Sequence, residues 1–268
     1  MASGKGKASE EKVKLTRELK EYVKSYTPWQ TSADLVGIIP VERLDEIPSI
    51  RQDWMNTSTI KTTEQMEDAK SVIVLGYHAS DDIYEAIVRR GNGIEIFGYP
   101  PNDNVRKVLH YLKAKGFEAM IADDRLPKKQ MARLAGFGNY GKNALLINPK
   151  YGPWVRLGAI VTDAEFVYDE PFERDLCGEC EKCLKACPTG ALTPFRVDYT
   201  RCLVNPTSEE WVRLISGELK YSDKVGDVKD IDKVFDIHSP RFTDNSRLMC
   251  TTCQRACPYG RKERGLEK

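Results

Sequence analysis

The sequence predicts an α+β protein with two parts, an N-terminal α/β layer domain at residues 1–168 and a cysteine-rich domain at residues 169–268. Three observations support this. Residues 71–77 form an apolar, β-branched run that is typical of a central strand. Helical patterns alternate with shorter apolar runs on either side of it. All eight cysteines lie after residue 176, where the character of the chain changes.

The predicted elements of the N-terminal part follow from residue spacing and from turn residues. Asp81 and Asp82 are typical N-cap residues for one of the helices, and Gly116 is a typical stop for another. We expect helices at residues 10–26, 42–47, 81–90, 104–115 and one that ends at 131–135. We expect strands at residues 71–77, 117–122, 144–148 and 155–162, the last two joined by a turn at 149–153. Residues 35–39 are expected to form a short buried segment that ends at Pro40.

Composition and charge narrow the class of protein. The chain has 268 residues and a formal net charge of +1, which gives no electrostatic reason to expect a nucleic-acid partner. No apolar run reaches the roughly 18 residues that would span a membrane, and residues 1–14 lack the apolar core of a secretory signal. We therefore expect a cytoplasmic protein with no membrane partner, in which clustered cysteines bind metal and do not form disulfides.

The cysteines form two groups whose spacing is typical of iron–sulfur proteins. The first group reads C-x₂-C-x₂-C-x₃-C-P, and its fourth cysteine is expected to serve a different cluster from the first three. The second group reads C-x₂-C-x₃-C-P, and Cys202 stands apart. We predict one 4Fe–4S cluster on Cys177, Cys180, Cys183 and Cys257, and a second on Cys187, Cys202, Cys250 and Cys253. The alternative is a pair of structural zinc sites, which needs neither the third cysteine nor the Cys-Pro ending.

A glycine-rich segment at residues 135–143 carries Gly136, Gly138 and Gly141. It fits both a dinucleotide-binding G-x-G-x-x-G and, with Lys142, a phosphate-binding loop. Both motifs need a strand before and a helix after, whereas here a helical pattern precedes and an apolar run follows. Two alternatives remain: a tight helix-to-strand turn, or a loop whose backbone lies against a large cofactor.

Residues 135–163 (AGFGNYGKNALLINPKYGPWVRLGAIVTD) and 177–192 (CGECEKCLKACPTGAL) together resemble the epoxyqueuosine reductase family, with reductive dehalogenases as more distant relatives. The resemblance implies a nitroreductase-like α/β core that binds cobalamin, followed by a bacterial ferredoxin-like domain with two 4Fe–4S clusters. It also implies an oxidoreductase that receives electrons from a reduced ferredoxin, a flavodoxin or a similar donor. Electrons would pass through the two clusters to the corrinoid and then to the substrate.

The resemblance also assigns candidate residues. The cobalamin contacts it implies are Gly136, Gly138, Tyr140, Gly141, Lys142, Asn143 and Arg156. Residues 122–129 stand where the family has its catalytic aspartate, so Asp123 and Asp124 are candidate general acids. The register differs from the family, and the family's Glu-Arg pair is missing from this segment.

Three functions compete at this stage. The first is a cobalamin-dependent reductase of an unidentified substrate in an anaerobe. The second is a ferredoxin-type electron carrier for a partner enzyme. The third is an epoxyqueuosine reductase that acts on tRNA. The chain ends soon after Cys257 and lacks the helical-repeat extension of full-length epoxyqueuosine reductases, so we expect a short form that does not bind nucleic acid.

Overall fold

A computed structural model describes residues 2–25, 33–52, 57–79, 85–98, 101–204 and 206–265. Its helices are α1 (Ala2–Lys24), α2 (Val41–Asp45), α3 (Thr62–Gln65), α4 (Pro101–Ala114), α5 (Lys128–Leu134), α6 (Lys182–Ala186), α7 (Ser208–Ser216), α8 (Ile231–His238) and α9 (Thr252–Arg255). Its strands are β1 (Leu35–Pro40), β2 (Arg51–Gln52), β3 (Thr57–Ser58), β4 (Ser71–His78), β5 (Glu85–Arg90), β6 (Gly93–Gly98), β7 (Ala119–Ile121), β8 (Asn139–Tyr140), β9 (Leu146–Ile147), β10 (Val155–Thr162), β11 (Leu192–Thr193), β12 (Arg196–Val197), β13 (Arg241–Thr243) and β14 (Ser246–Leu248).

The main sheet has the order β1-β4-β10-β7, and every neighbouring pair is antiparallel. The strand predicted at residues 71–77 is β4, and it lies inside the sheet as expected. Because side chains alternate along a strand, Val72 and Val74 join a core with α2 and α5, while Ile73 and Leu75 join a core with α1 and α4. Both faces are therefore covered, which is why this strand is apolar at almost every position.

The helix predicted at residues 81–90 is wrong for residues 85–90. These residues form β5, which pairs with β6 and with β14. Asp81 and Asp82, the predicted N-cap residues, lie outside the described residues. The β-branched Ile87 and Val88 and the Gly91-Asn92 loop indicated a hairpin. Pairing with β14, far along the chain, favours the strand over the helix that a local reading suggested.

A second sheet, of order β13-β14-β5-β6, joins this hairpin to the segment between Cys202 and Cys250. Two short helices, α7 and α8, lie in that segment. Trp211 and Phe235 pack there around Ile87 of the hairpin, in a separate core. The domain boundary predicted at residue 168 stays a prediction. One hairpin from before residue 168 hydrogen-bonds to β14 from after it.

The strands expected at residues 144–148 and 155–162 are present, but they do not pair with each other as a hairpin. Strand β9 pairs with β8, whereas β10 joins the main sheet between β4 and β7. Only an isolated bridge between Asn148 and Gly152 closes the turn between them. The α+β class is confirmed. In the described part of the chain, no helix is both long and apolar enough to cross a membrane.

Candidate functional site

Four cysteines, Cys177, Cys180, Cys183 and Cys257, line one common cavity. These are the four that the spacing assigned to the first cluster. Cys183 lies in α6, and Cys257 lies two residues after the end of α9. Helices α6 and α9 pack against each other, and this contact brings the last cysteine of the second group to the first three of the first group.

The remaining cysteines also lie together. Burial, with contributions from the neighbouring Cys250 and Cys187, raises the pKa of the Cys202 thiol to about 11. Burial likewise raises the pKa of Cys253, with contributions from Cys250, Cys202 and Cys187. These are the four cysteines that the spacing assigned to the second cluster, and α6 ends at Cys187 while α9 carries Cys253.

The donor set fits iron–sulfur clusters. None of the eight cysteines forms a disulfide. Burial and the nearby Cys177, Cys183 and Cys180 raise the pKa of Cys257 to about 11, so the thiolate that a cluster requires is disfavoured unless bound iron neutralises it. A zinc site would draw four thiolates to about 2.3 Å from one ion. Among the described residues, no three His, Cys, Asp or Glu side chains converge closely enough to hold a single metal ion.

Hydrogen-bonding groups lie beside two of the sulfurs. The backbone N–H of Lys142 donates to Cys177 Sγ at 3.4 Å. In the second group, the Cys250 thiol donates to Thr252 Oγ1 at 3.4 Å. Such contacts tune the reduction potential of a cluster.

The glycine-rich segment follows α5 and turns into the short strand β8, and no helix follows it, so it is neither a dinucleotide-binding nor a phosphate-binding loop. A Cβ on Gly138 would lie 2.1 Å from Ile147 O, and a Cβ on Gly141 would lie 2.5 Å from Ile147 Cγ1. A Cβ on Gly136 would lie 2.9 Å from Glu170 O. These glycines therefore let the segment pack tightly against β9 and against residue 170.

A second and much larger cavity, of about 1110 Å³, lies beside this segment. Its wall combines residues from both halves of the chain: 50–52, 59, 124, 126–130, 140, 144–146, 153, 155–157, 193, 195–199 and 254. Tyr140 and Arg156, two of the predicted cobalamin contacts, line it. Lys142 and Asn143 instead line the cavity of the first cysteine group.

The large cavity suits a large, amphipathic cofactor. Apolar side chains such as Leu126 and Leu157 line it beside polar side chains such as Arg51 and Arg156. Its volume is at the top of the range for small-molecule sites. Gln254 links it to the second cysteine group, because this residue follows Cys253 directly. The residues present therefore fit the corrinoid that the resemblance implies.

Lys129 was missed by the sequence reasoning. It lines the large cavity, and its Nζ donates to Ala144 O at 2.8 Å. Burial lowers the pKa of this lysine. A lone lysine in a charge-rich stretch carries no sequence signal, because its burial depends on the packing of α5 against residues 144–146.

The two candidate acids differ in their surroundings. Arg125 donates to Asp123 through its backbone and its guanidinium, which lowers the pKa of Asp123 to about 2. Asp124 forms an ion pair with Lys128 and lines the large cavity. The geometry therefore favours Asp124 over Asp123 at this cavity.

The histidines have ordinary roles in the structure. The ring of His78 stacks on Tyr151 with 4.5 Å between centroids. His238 Nδ1 lies 2.7 Å from Thr252 Oγ1, and His110 is exposed.

Comparisons with known proteins agree with this geometry. The sequence profile of the family described as "4Fe-4S double cluster binding domain" matches residues 176–260, a range that contains all eight cysteines. Epoxyqueuosine reductase from Listeria monocytogenes is 35% identical over 147 residues, which cover 54% of this chain and 32% of that protein. Epoxyqueuosine reductase from Synechococcus is 45% identical over 94 residues, covering 35% and 29%. The chain thus spans about a third of the length of these relatives.

Two solved structures share the fold. One is a crystal structure of epoxyqueuosine reductase with an epoxyqueuosine-modified tRNA-Tyr stem loop; the TM-score is 0.63 at 24% identity, with 93% of this chain and 66% of that chain covered. The other is a catabolic reductive dehalogenase in complex with 3-bromo-4-hydroxybenzoic acid, with a TM-score of 0.50 at 16% identity over 87% and 31% of the chains. The resemblance found in the sequence is therefore confirmed: over part of its length this chain is similar to epoxyqueuosine reductases, and residues 176–260 match a 4Fe–4S double cluster binding domain.

Proposed function

We propose that the chain is an iron–sulfur oxidoreductase of the epoxyqueuosine reductase type, in which two clusters deliver electrons to a corrinoid and its substrate in the large cavity. One observation carries this proposal: the wall of the cavity of about 1110 Å³ combines residues of the main sheet, such as Arg156 and Leu157 of β10, with residues 193, 195–199 and 254 of the cysteine-rich part of the chain. A simple electron carrier has no need of such a cavity. The clusters, when bound, supply one-electron carriers close to it.

Several residues would hold the corrinoid. Tyr140, Lys129 and Arg156 all line the cavity, and the bond from Lys129 Nζ to Ala144 O orients this cation at the wall. A bound corrinoid supplies a cobalt centre that exchanges electrons with the substrate. Asp124, which lines the same cavity, would hold the proton for the reduced product.

The substrate that we propose is epoxyqueuosine in tRNA. The sequence favours an unidentified substrate, and its net charge of +1 gives no reason to expect nucleic acid. The comparisons support the tRNA alternative better, because the relatives are named epoxyqueuosine reductase and one solved structure contains a modified tRNA stem loop. A net charge near zero does not exclude a nucleic-acid substrate, since local basic residues such as Arg51, Lys128 and Arg196 lie around the cavity.

The test combines cofactor binding with a single turnover. Cluster-loaded protein is titrated anaerobically with cobalamin, reduced, and mixed with an epoxyqueuosine-modified tRNA stem loop; an unmodified stem loop is the control. We expect near-stoichiometric corrinoid binding and conversion of epoxyqueuosine to queuosine. Corrinoid binding without conversion would contradict epoxyqueuosine as the substrate but would still support a corrinoid-dependent reductase.

A second candidate is a corrinoid reductase of a different substrate. The observation that favours it is the Asp123–Arg125 pair, which occupies the segment where the family's catalytic aspartate stands. Full cluster loading without any corrinoid affinity would contradict both candidates and would leave the ferredoxin-type carrier.

A further inference from the structure

We propose that Asn143 donates an amide hydrogen bond to the cluster held by Cys177, Cys180, Cys183 and Cys257, and that this bond raises the reduction potential of that cluster. The inference rests on the proposed assignment of these four cysteines to one cluster. It gives Asn143 a role different from the corrinoid contact that the sequence suggested. In this proposal Asn143 acts on the cluster by tuning its reduction potential.

Asn143 lies in the wall of the cysteine cavity and is only 4% exposed. Its Nδ2 is buried and has no hydrogen-bond partner among the described residues. A buried amide donor without a partner is unfavourable. The sulfurs of a bound cluster are the acceptors that this cavity would offer to it.

The orientation of the amide is set by its other end. Asn143 Oδ1 accepts a hydrogen bond from the backbone N–H of Leu145 at 3.2 Å. A flipped amide would place its donor against that N–H, so Nδ2 is the end left for the cavity. The side chain therefore presents a donor to the cluster site.

Gly141 makes room for this arrangement. A Cβ at Gly141 would lie 2.8 Å from Asn143 Oδ1 and 2.5 Å from Ile147 Cγ1, and both Asn143 and Ile147 line the cysteine cavity. The last glycine of the G-x-G-x-x-G pattern is thus explained by the cluster site and by packing against β9.

Asn143 acts beside a second donor on the same loop, because Lys142 N–H points at Cys177 Sγ. Reduction adds negative charge to a cluster, and donors to its sulfurs stabilise the reduced state more than the oxidised one. Two donors from residues 142–143 would therefore raise the potential of this cluster. The second cluster has hydroxyl neighbours at Thr252 and Thr189 instead.

The test measures the midpoint potentials of both clusters by EPR-monitored titration of the reconstituted full chain. Asn143→Leu removes the amide with little change in volume, and Asn143→Asp keeps the acceptor for Leu145 N–H but removes the donor. We expect both variants to shift the first cluster to lower potential and to leave the second unchanged. Thr252→Val is the matched control, expected to shift only the second cluster.

Iron content and EPR spin counts separate the outcomes. Full iron content with unchanged potentials in both Asn143 variants would overturn the inference. Loss of the first cluster in both variants would also overturn it, because Asn143 would then be required for assembly and not for tuning. A wild-type chain that takes up no iron would overturn the cluster assignment itself, which is a different failure.

Discussion

Gly152 and Gly260 pack their backbones against each other where the turn before β10 meets the segment after Cys257. A Cβ on Gly152 would lie 2.2 Å from Tyr259 O, and a Cβ on Gly260 would lie 2.3 Å from Tyr151 O. Both glycines have positive φ, +60° and +78°. The turn before β10 is thus pressed onto the chain just after Cys257, so the sheet helps to position a cluster ligand.

Substituting either glycine with alanine should loosen this contact. We expect Gly152→Ala and Gly260→Ala each to destabilise the fold by about 1–3 kcal/mol or more, since backbone atoms must move, and to lower the iron content of the first cluster. Thermal unfolding and iron analysis measure the two effects. Gly265→Ala is the control: it has a similar φ, +64°, but nothing lies within 4 Å of its added Cβ. An equal loss of iron in the control would contradict this account.

The pairing of cysteines between the two groups predicts which substitutions act together. We expect Cys177→Ala and Cys257→Ala each to remove the first cluster, and the double variant to remove no more than either one. Combining Cys177→Ala with Cys202→Ala should remove both clusters. Iron content and EPR spectra of reconstituted protein measure this. If Cys257→Ala instead removed the second cluster, the cross-shared assignment would be wrong.

Asp123 should remain ionised at any pH at which the protein works. Arg125 lowers the pKa of Asp123 to about 2, from 3.8. A depressed carboxyl pKa stabilises the fold above the unfolded pKa, and this contribution disappears as the pH falls through about 2. The difference in unfolding free energy between wild type and Asp123→Asn should therefore be constant from pH 7 to about pH 5 and shrink below pH 4. A difference that already shrinks near pH 6 would contradict the assignment.

Asp124 should matter for turnover where Asp123 does not. Because Asp124 lines the cavity, we expect Asp124→Asn to lower kcat by roughly 10²-fold or more, the usual contribution of a general acid, with little change in substrate affinity. Asp123→Asn should keep the wild-type pH dependence of kcat. The opposite pattern would assign the acid to Asp123.

Phe195 is expected to lower the stability of the fold and to strengthen ligand binding in the large cavity. It has a φ of +65° and is 49% exposed, yet its side chain lines the large cavity. A bulky residue in this conformation costs about 1–2 kcal/mol, so Phe195→Gly should raise the free energy of unfolding by up to about 1 kcal/mol. The same change should weaken binding in the cavity, measured by corrinoid titration. Phe195→Ala should weaken binding without raising stability, and a gain in both would contradict a binding role for the ring.

Local patterns were sufficient wherever the deciding contacts are close in sequence. The apolar run of β4 and the helix α4 were predicted correctly, because strand period and helix period act over a few residues. The helix expected at residues 81–90 was wrong over residues 85–90, because β5 is held by β14, a strand distant in the chain. The strands expected at 144–148 and 155–162 are present, but β10 pairs with the distant strands β4 and β7.

The sequence by itself determined the fold class, the two groups of thiolates and the family resemblance, since residue types and spacings define them directly. Only the tertiary structure decided that Lys142 and Asn143 face the cysteine cavity while Tyr140 and Arg156 face the large one. It also decided that Asp123 forms an ion pair with Arg125 and that Lys129 is half-buried at the wall of the large cavity. Neighbouring residues of this segment reach different cavities because Tyr140 lies in β8, which pairs with β9, whereas Lys142 and Asn143 lie in the turn between these two strands; that pairing depends on β9, which packs against Gly138 and Gly141.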